Sequence, residues 1–97
     1  MLLVVDIGNT HTVLGIYADR NSECLHHWRL ASDRKKTEDE YAVLLLAMLQ
    51  AEGLQLSQLQ AAAVSSTVPP LVDVWQKLCR KYLQVVPLVI SVDTHTN

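Results

Sequence analysis

Apolar residues along this chain follow two different periods, and the change between them divides the sequence. Leu2 to Ile7 is a short apolar run rich in β-branched residues, the pattern of a strand buried in the middle of a sheet. Gly8-Asn9 is a turn signal. A second run, Thr12 to Ala18, sets Val13, Gly15 and Tyr17 alternately against Leu14 and Ile16. Asp19-Arg20-Asn21-Ser22 is polar and predicts the next turn. Cys24 to Leu30 then alternates less cleanly, with Leu25, Trp28 and Leu30 among His26, His27 and Arg29. Three strands joined by turns this short predict an antiparallel meander.

Beyond residue 36 the period becomes helical. Thr37-Glu38-Asp39-Glu40 reads as a capping box, in which Thr37 accepts from the Glu40 amide and the Glu40 side chain reaches back. The acidic residues also suit the positive end of a helix dipole. Tyr41, Leu44, Leu45, Met48 and Leu49 recur at helical spacing as one apolar face, and Gly53 predicts the C′ position. Ala61 to Ser65 predicts a short strand of small residues. Thr67-Val68-Pro69-Pro70 opens a second helix, since proline is tolerated in a first turn. Leu71, Val74, Trp75, Leu78 and Tyr82 form its stripe, with Lys77, Arg80 and Lys81 toward its C-terminal end. Val85 to Val92, interrupted by Pro87, predicts a last strand lying at an edge where it starts. The order β-β-β-α-β-α-β predicts an α/β fold: one mixed five-stranded sheet covered by helices, with right-handed crossovers.

Composition narrows the function classes. The chain has 97 residues, 49% of them apolar and 19% charged, which suits one ordinary globular domain. A net charge of −2 leaves no basic excess to displace counterions from nucleic acid, so no nucleic-acid partner is expected. Cys24 and Cys79 are far apart, form no CxxC pair and read as free thiols of a reducing compartment. The apolar start meets Asp6 too soon for a signal peptide, and no apolar run approaches the roughly 20 residues that span a bilayer. The expectation is a cytoplasmic domain with no membrane partner.

Candidate chemistry concentrates in Asp6-Ile7-Gly8-Asn9-Thr10-His11-Thr12-Val13, at the turn between the first two strands. Gly8 allows the backbone to turn and to approach a ligand closely. Asn9, Thr10 and Thr12 place side-chain donors beside the loop amides, a cradle suited to phosphate oxygens. Asp6 ends a strand, where its carboxylate can hold a hydrated Mg²⁺ through water. The competing reading is an ordinary hairpin turn capped by polar residues, because such turns are common. Neither GxxxxGK nor GxGxxG occurs.

The segment from Asp6 to Thr12 resembles the first phosphate-binding motif of the acetate kinase, sugar kinase, Hsp70 and actin superfamily, and more closely that of the type III pantothenate kinase family. Four stretches carry the resemblance in order: Leu-Val-Val-Asp-Ile-Gly-Asn-Thr-His-Thr-Val-Leu-Gly at 3–15, His-Trp-Arg-Leu at 27–30, Ser-Asp-Arg-Lys-Lys-Thr-Glu-Asp-Glu-Tyr at 32–41 and Ser-Ser-Thr-Val-Pro-Pro-Leu at 65–71. The resemblance implies a ribonuclease H-like half-domain, in agreement with the element order. It implies ATP-dependent phosphorylation of the primary hydroxyl of pantothenate, the first step of coenzyme A synthesis. Asp6, Ile7, Gly8, Asn9, Thr10, His11, Thr12 and Val13 would hold the ATP phosphates, with Mg²⁺ bound through Asp6. The resemblance puts the catalytic base and pantothenate contacts in a Gly-Ala-Asp-Arg segment, and a monovalent cation, K⁺ or NH₄⁺, in a second half-domain. Both are expected beyond Asn97, so residues 1–97 read as one N-terminal ATP-phosphate-binding half-domain, inactive by itself. The alternative is a non-catalytic accessory protein on the same fold that binds a nucleotide or a partner, since fold does not fix function.

Several residues keep simpler readings. Adjacent His26 and His27 on a strand face opposite ways and read as structural rather than chelating. His11 either meets a phosphate or merely lies on a strand. Arg34-Lys35-Lys36 reads as a solvated loop, with a nucleotide contact as the sharper alternative. Asp39 and Glu40 read as dipole and capping residues. Ser65-Ser66-Thr67 precedes a helix start and reads as capping, or else as an anion site. Val43, Leu46 and Ala47 extend the apolar surface of the first helix around its other side. A helix apolar nearly all round calls for a second partner, here a homodimer, which the family resemblance also implies.

Overall fold

In a computed structural model of the chain, which describes residues 1–19 and 23–91, the elements follow the expected order. Strands β1 (Leu2–Ile7), β2 (His11–Tyr17) and β3 (Cys24–Ala31) form the meander. Helix α1 (Glu38–Ala51), strand β4 (Ala61–Ser66), helix α2 (Pro69–Leu78) and strand β5 (Leu88–Ser91) complete the fold. The five strands make one sheet in the order β3-β2-β1-β4-β5. β1 pairs antiparallel with β2 and parallel with β4, and β5 runs parallel to β4 at the edge. Mixed sheet, strand order and two helices are those of a ribonuclease H-like half-domain.

Alternation sorts the sheet into two faces. Leu3, Val5 and Ile7, Leu14 and Ile16, Ala62 and Val64 point to the side covered by both helices and are buried. They meet Tyr41, Leu45 and Leu49 of α1 and Leu71, Trp75 and Leu78 of α2 in one core. Leu44, Met48, Val74 and Tyr82 of the expected stripes are partly buried against it. On the opposite face, Leu2, Val4, Val13, Tyr17 and Ala63 are only half-buried, while Asp6 is exposed.

Local signals for α1 match its geometry. The Thr37 hydroxyl accepts from the Glu40 amide and the Glu40 carboxylate accepts from the Thr37 amide, so the capping box is complete. Gly53 follows the helix at φ +73, a left-handed conformation that favours glycine. Other boundaries move for identifiable reasons. β2 begins one residue early, at His11, and β3 runs one residue further, to Ala31, because the two pair across that position. β5 begins only at Leu88, since Pro87 has no amide to give the ladder. Val92, expected in that strand, lies outside the described residues, as do Arg20, Asn21 and Ser22 of the second turn. Two short elements have no sequence forecast: a 3₁₀ turn at Leu56–Gln58 and a widened π turn at Cys79–Leu83, which α2 enters directly. Among the described residues no helix is long and apolar enough to cross a membrane. Cys24 is exposed and Cys79 buried, and burial pushes the Cys79 thiol up to about 11.

Candidate functional site

The β1–β2 turn stands at the end of the sheet where the parallel strands β1 and β4 both finish, the usual place for a ligand in an open α/β sheet. A hydrogen bond from the Thr67 amide to the Ile7 carbonyl, 3.4 Å, ties the two strand ends together. The Gly8 amide donates to the His11 carbonyl at 2.9 Å and closes the turn, leaving Asn9 and Thr10 at its tip. Gly8 is needed here for closeness rather than for an unusual backbone angle. A Cβ at that position would lie 3.0 Å from the His11 carbonyl oxygen, a contact a side chain tolerates poorly.

The eight sequence-derived candidates divide by where they point. Asp6 is exposed on the open face of the sheet, opposite Val13 on one side and Ser65 on the other. It lines a shallow cleft of about 390 Å³ with Val13, Gly15, Tyr17 and His27. Asn9, Thr10 and His11 are exposed at the turn, and Gly8 is half-exposed. Among the described residues, no protein group accepts from the Asn9 or Thr10 amides. Ile7 is buried in the core and Val13 half-buried beside Asp6, so both shape the turn through their backbone and packing.

Thr12 departs from its expected part as a donor to phosphate. It is fully buried on the helix-covered side, and its hydroxyl lies 2.8 Å from that of Ser32. The Ser32 hydroxyl itself donates to the Gly8 carbonyl at 2.6 Å. Ser32 has one hydroxyl proton and spends it there, so Thr12 is the donor to Ser32. The Ser32 amide also donates to the Thr10 carbonyl at 2.9 Å. Ser32 was not among the sequence-derived site residues; a serine after a strand reads as a turn residue, and only the β2–β3 register brings it here.

The segment after Ser32 is organised around Asp33. The Lys35 amide donates to its carboxylate at 2.9 Å, and Lys36 lies 3.5 Å from it. That amide first, then Lys36, holds the Asp33 carboxyl below the usual range. The Asp33 backbone is bound at both ends by buried Tyr41, whose hydroxyl accepts from the Asp33 amide at 2.8 Å and donates to its carbonyl at 3.0 Å. Arg34 and Lys35 are exposed. Farther away, Asp39 ties α1 to the π turn that follows α2 by accepting from Lys81 and from the Tyr82 hydroxyl, which lowers its carboxyl pKa. Ser66 accepts from the Val68 amide at 2.7 Å, a turn contact before α2 rather than the expected cap, since the N-cap residue is Val68 and makes no side-chain cap bond. His26 stacks on Trp28 while His27 faces the cleft, so the pair splits across the sheet as expected.

Charge and donors near the turn suit a metal–phosphate ligand. Among the described residues no group of three or more His, Cys, Asp or Glu is placed to hold a metal on its own. A single exposed carboxylate beside uncommitted amides matches Mg²⁺, which keeps several waters and takes its remaining ligands from a phosphate chain. A second cavity, of about 740 Å³, lies at the opposite end of the sheet, between the starts of β1, β4 and β5. Its lining, which includes Leu2, Ala61, Ala63, Val86 and Leu88, carries no titratable side chain.

A family model described as type III pantothenate kinase matches residues 2–97. The chain is similar to a type III pantothenate kinase of Halalkalibacterium halodurans, with 46% identity over 91 residues, 94% of this chain and 35% of that protein. Similar proteins of the same description from Geobacillus kaustophilus and from Geobacillus sp. strain WCH70 are each 43% identical over 91 residues, 94% of this chain and 34% of theirs. The chain thus spans about a third of the length of the curated relatives it matches.

Proposed function

The chain belongs to the type III pantothenate kinase family, and from that premise we propose that it forms the ATP-phosphate-binding part of an enzyme that phosphorylates pantothenate. The observation that carries this reading is the β1–β2 turn, with the uncommitted Asn9 and Thr10 amides beside the exposed Asp6 carboxylate. Phosphoryl transfer asks little covalent chemistry of a protein and a great deal of positioning and charge stabilisation. The turn amides would bind phosphate oxygens, with the Asn9 and Thr10 side chains adding donors at its tip. Asp6 would orient the water shell of Mg²⁺ on the open side of the sheet. When bound, Mg²⁺ neutralises negative charge that accumulates on the phosphate oxygens. Val13 and Tyr17 line the cleft beside Asp6. Residues 1–97 contribute the phosphate and metal contacts in this reading; the pantothenate contacts, the base and the site for K⁺ or NH₄⁺ are assigned to other segments of the family.

The full-length protein is expected to release ADP from ATP only when pantothenate and Mg²⁺ are both present, with a product heavier than pantothenate by one phosphoryl group. ATP binding without pantothenate-dependent ADP release overturns the kinase reading and favours a non-catalytic nucleotide-binding role.

Self-association belongs to the same proposal. Val43 is 67% and Leu46 37% exposed on the outer face of α1, with Ala47 exposed beside them. A two-fold dimer would bury this patch against its own copy. Sedimentation equilibrium at micromolar concentration is expected to give a dimer that Leu46→Glu weakens. A wild-type monomer, or a dimer indifferent to Leu46→Glu, excludes this face.

A further inference from the structure

We propose that Ser32 is the positioning residue of the phosphate-binding turn, aiming its amides at the nucleotide; the inference rests on the ATP-binding reading above. Ser32 grips the turn at two carbonyls, with its hydroxyl on Gly8 at 2.6 Å and its amide on Thr10 at 2.9 Å. Every peptide bond described is trans. In a trans peptide the carbonyl and the following amide point in opposite directions across one rigid plane. Holding the Gly8 carbonyl toward Ser32 therefore directs the Asn9 amide away from it, and holding the Thr10 carbonyl does the same for the His11 amide. Two electronegative oxygens that would repel a phosphate are tied back in the same step.

The grip is itself supported. Thr12, fully buried, donates its hydroxyl proton to Ser32 and so orients the Ser32 hydroxyl for Gly8. The next residue, Asp33, is clasped at its amide and its carbonyl by the Tyr41 hydroxyl. Tyr41 has no exposure, and its ring packs on Trp75 with centroids 5.1 Å apart. The turn is thus braced through Ser32 and Asp33 onto the core between α1 and α2. A site that works by orientation loses most when the support of its binding groups loosens.

Ser32→Ala removes the hydroxyl and keeps the backbone bond to Thr10. In the full-length protein it is expected to raise the KM for ATP and the Kd for Mg·ATP, measured by calorimetry, about tenfold, the size expected for losing one or two modest hydrogen bonds. The KM for pantothenate is expected to stay within about twofold. Ser32→Thr, which keeps the hydroxyl, should restore ATP affinity to within about twofold of wild type. An unchanged Kd for Mg·ATP in Ser32→Ala overturns the proposal while leaving the kinase reading intact. So does a parallel rise in both KM values, or a Ser32→Thr variant as impaired as Ser32→Ala, because each marks general loosening rather than aiming. A wild type that binds no ATP overturns the proposal and the ATP-binding reading together.

Discussion

Asp6→Asn in the full-length protein is expected to lower pantothenate phosphorylation by about a hundredfold or more while leaving the fold intact. Asparagine keeps the shape of the side chain and removes the charge that would hold Mg²⁺ against the transferring phosphoryl group. Metal-assisted charge stabilisation is worth several kcal/mol in a transition state, and about 1.4 kcal/mol is a factor of ten in rate. Among the described residues no hydrogen bond or ion pair engages that carboxylate. Asp6 is exposed, on the sheet face away from the helices, between Val13 and Ser65. A substitution at such a position ordinarily changes stability by about 0.5 kcal/mol or less. The measurement pairs kcat/KM for both substrates with a thermal melt followed by far-UV circular dichroism. Activity near the wild-type level, with an unchanged melt, would leave Asp6 as a residue of the turn and nothing more.

The contrast between Asp6 and Ser32 marks what the sequence can and cannot say. Asp6, Gly8 and Asn9 stand together in one short segment, so their neighbourhood is visible without a fold. The capping box at Thr37 and Glu40 and the C′ glycine at 53 are equally local, and both hold in the structure. Element order followed from hydrophobic period, since alternation in β2 and helical recurrence in α1 each satisfy one pattern only. Ser32 is 24 residues from the carbonyl it binds. Only the pairing of His11 with Ala31 brings it to the turn, and a sequence of period two does not state its own register. Thr12 shows the same limit in reverse. Its place in a polar run suggested a ligand donor, yet strand alternation turns it toward the helices, where its proton goes to Ser32. The π turn at Cys79–Leu83 left no local mark either, because the stripe through Leu78 to Tyr82 fits an uninterrupted α-helix equally well.

Trp75 gives the largest expected effect on stability, and its two substitutions are expected to separate. Its side chain has no exposure and packs against Tyr41 at the centre of the core between α1 and α2. Trp75→Ala empties that space, and truncations of this kind cost about 3–5 kcal/mol. That is a large share of the roughly 5–15 kcal/mol by which folded domains are held. Trp75→Phe is different, because among the described residues the buried indole N–H has no hydrogen-bond partner. Burying a donor unpaired costs about 1–3 kcal/mol, and phenylalanine removes that cost while leaving a smaller void than alanine. The void and the relieved donor act in opposite directions, so Trp75→Phe is expected to lie within about 1 kcal/mol of wild type, the size of one modest hydrogen bond. Urea unfolding followed by circular dichroism separates the two variants without relying on tryptophan emission, which both alter. A Trp75→Phe variant as damaged as Trp75→Ala would show that the indole's full outline, not its buried area alone, holds α2 against Tyr41. The Tyr41 clasp on Asp33 would then be the next contact to loosen.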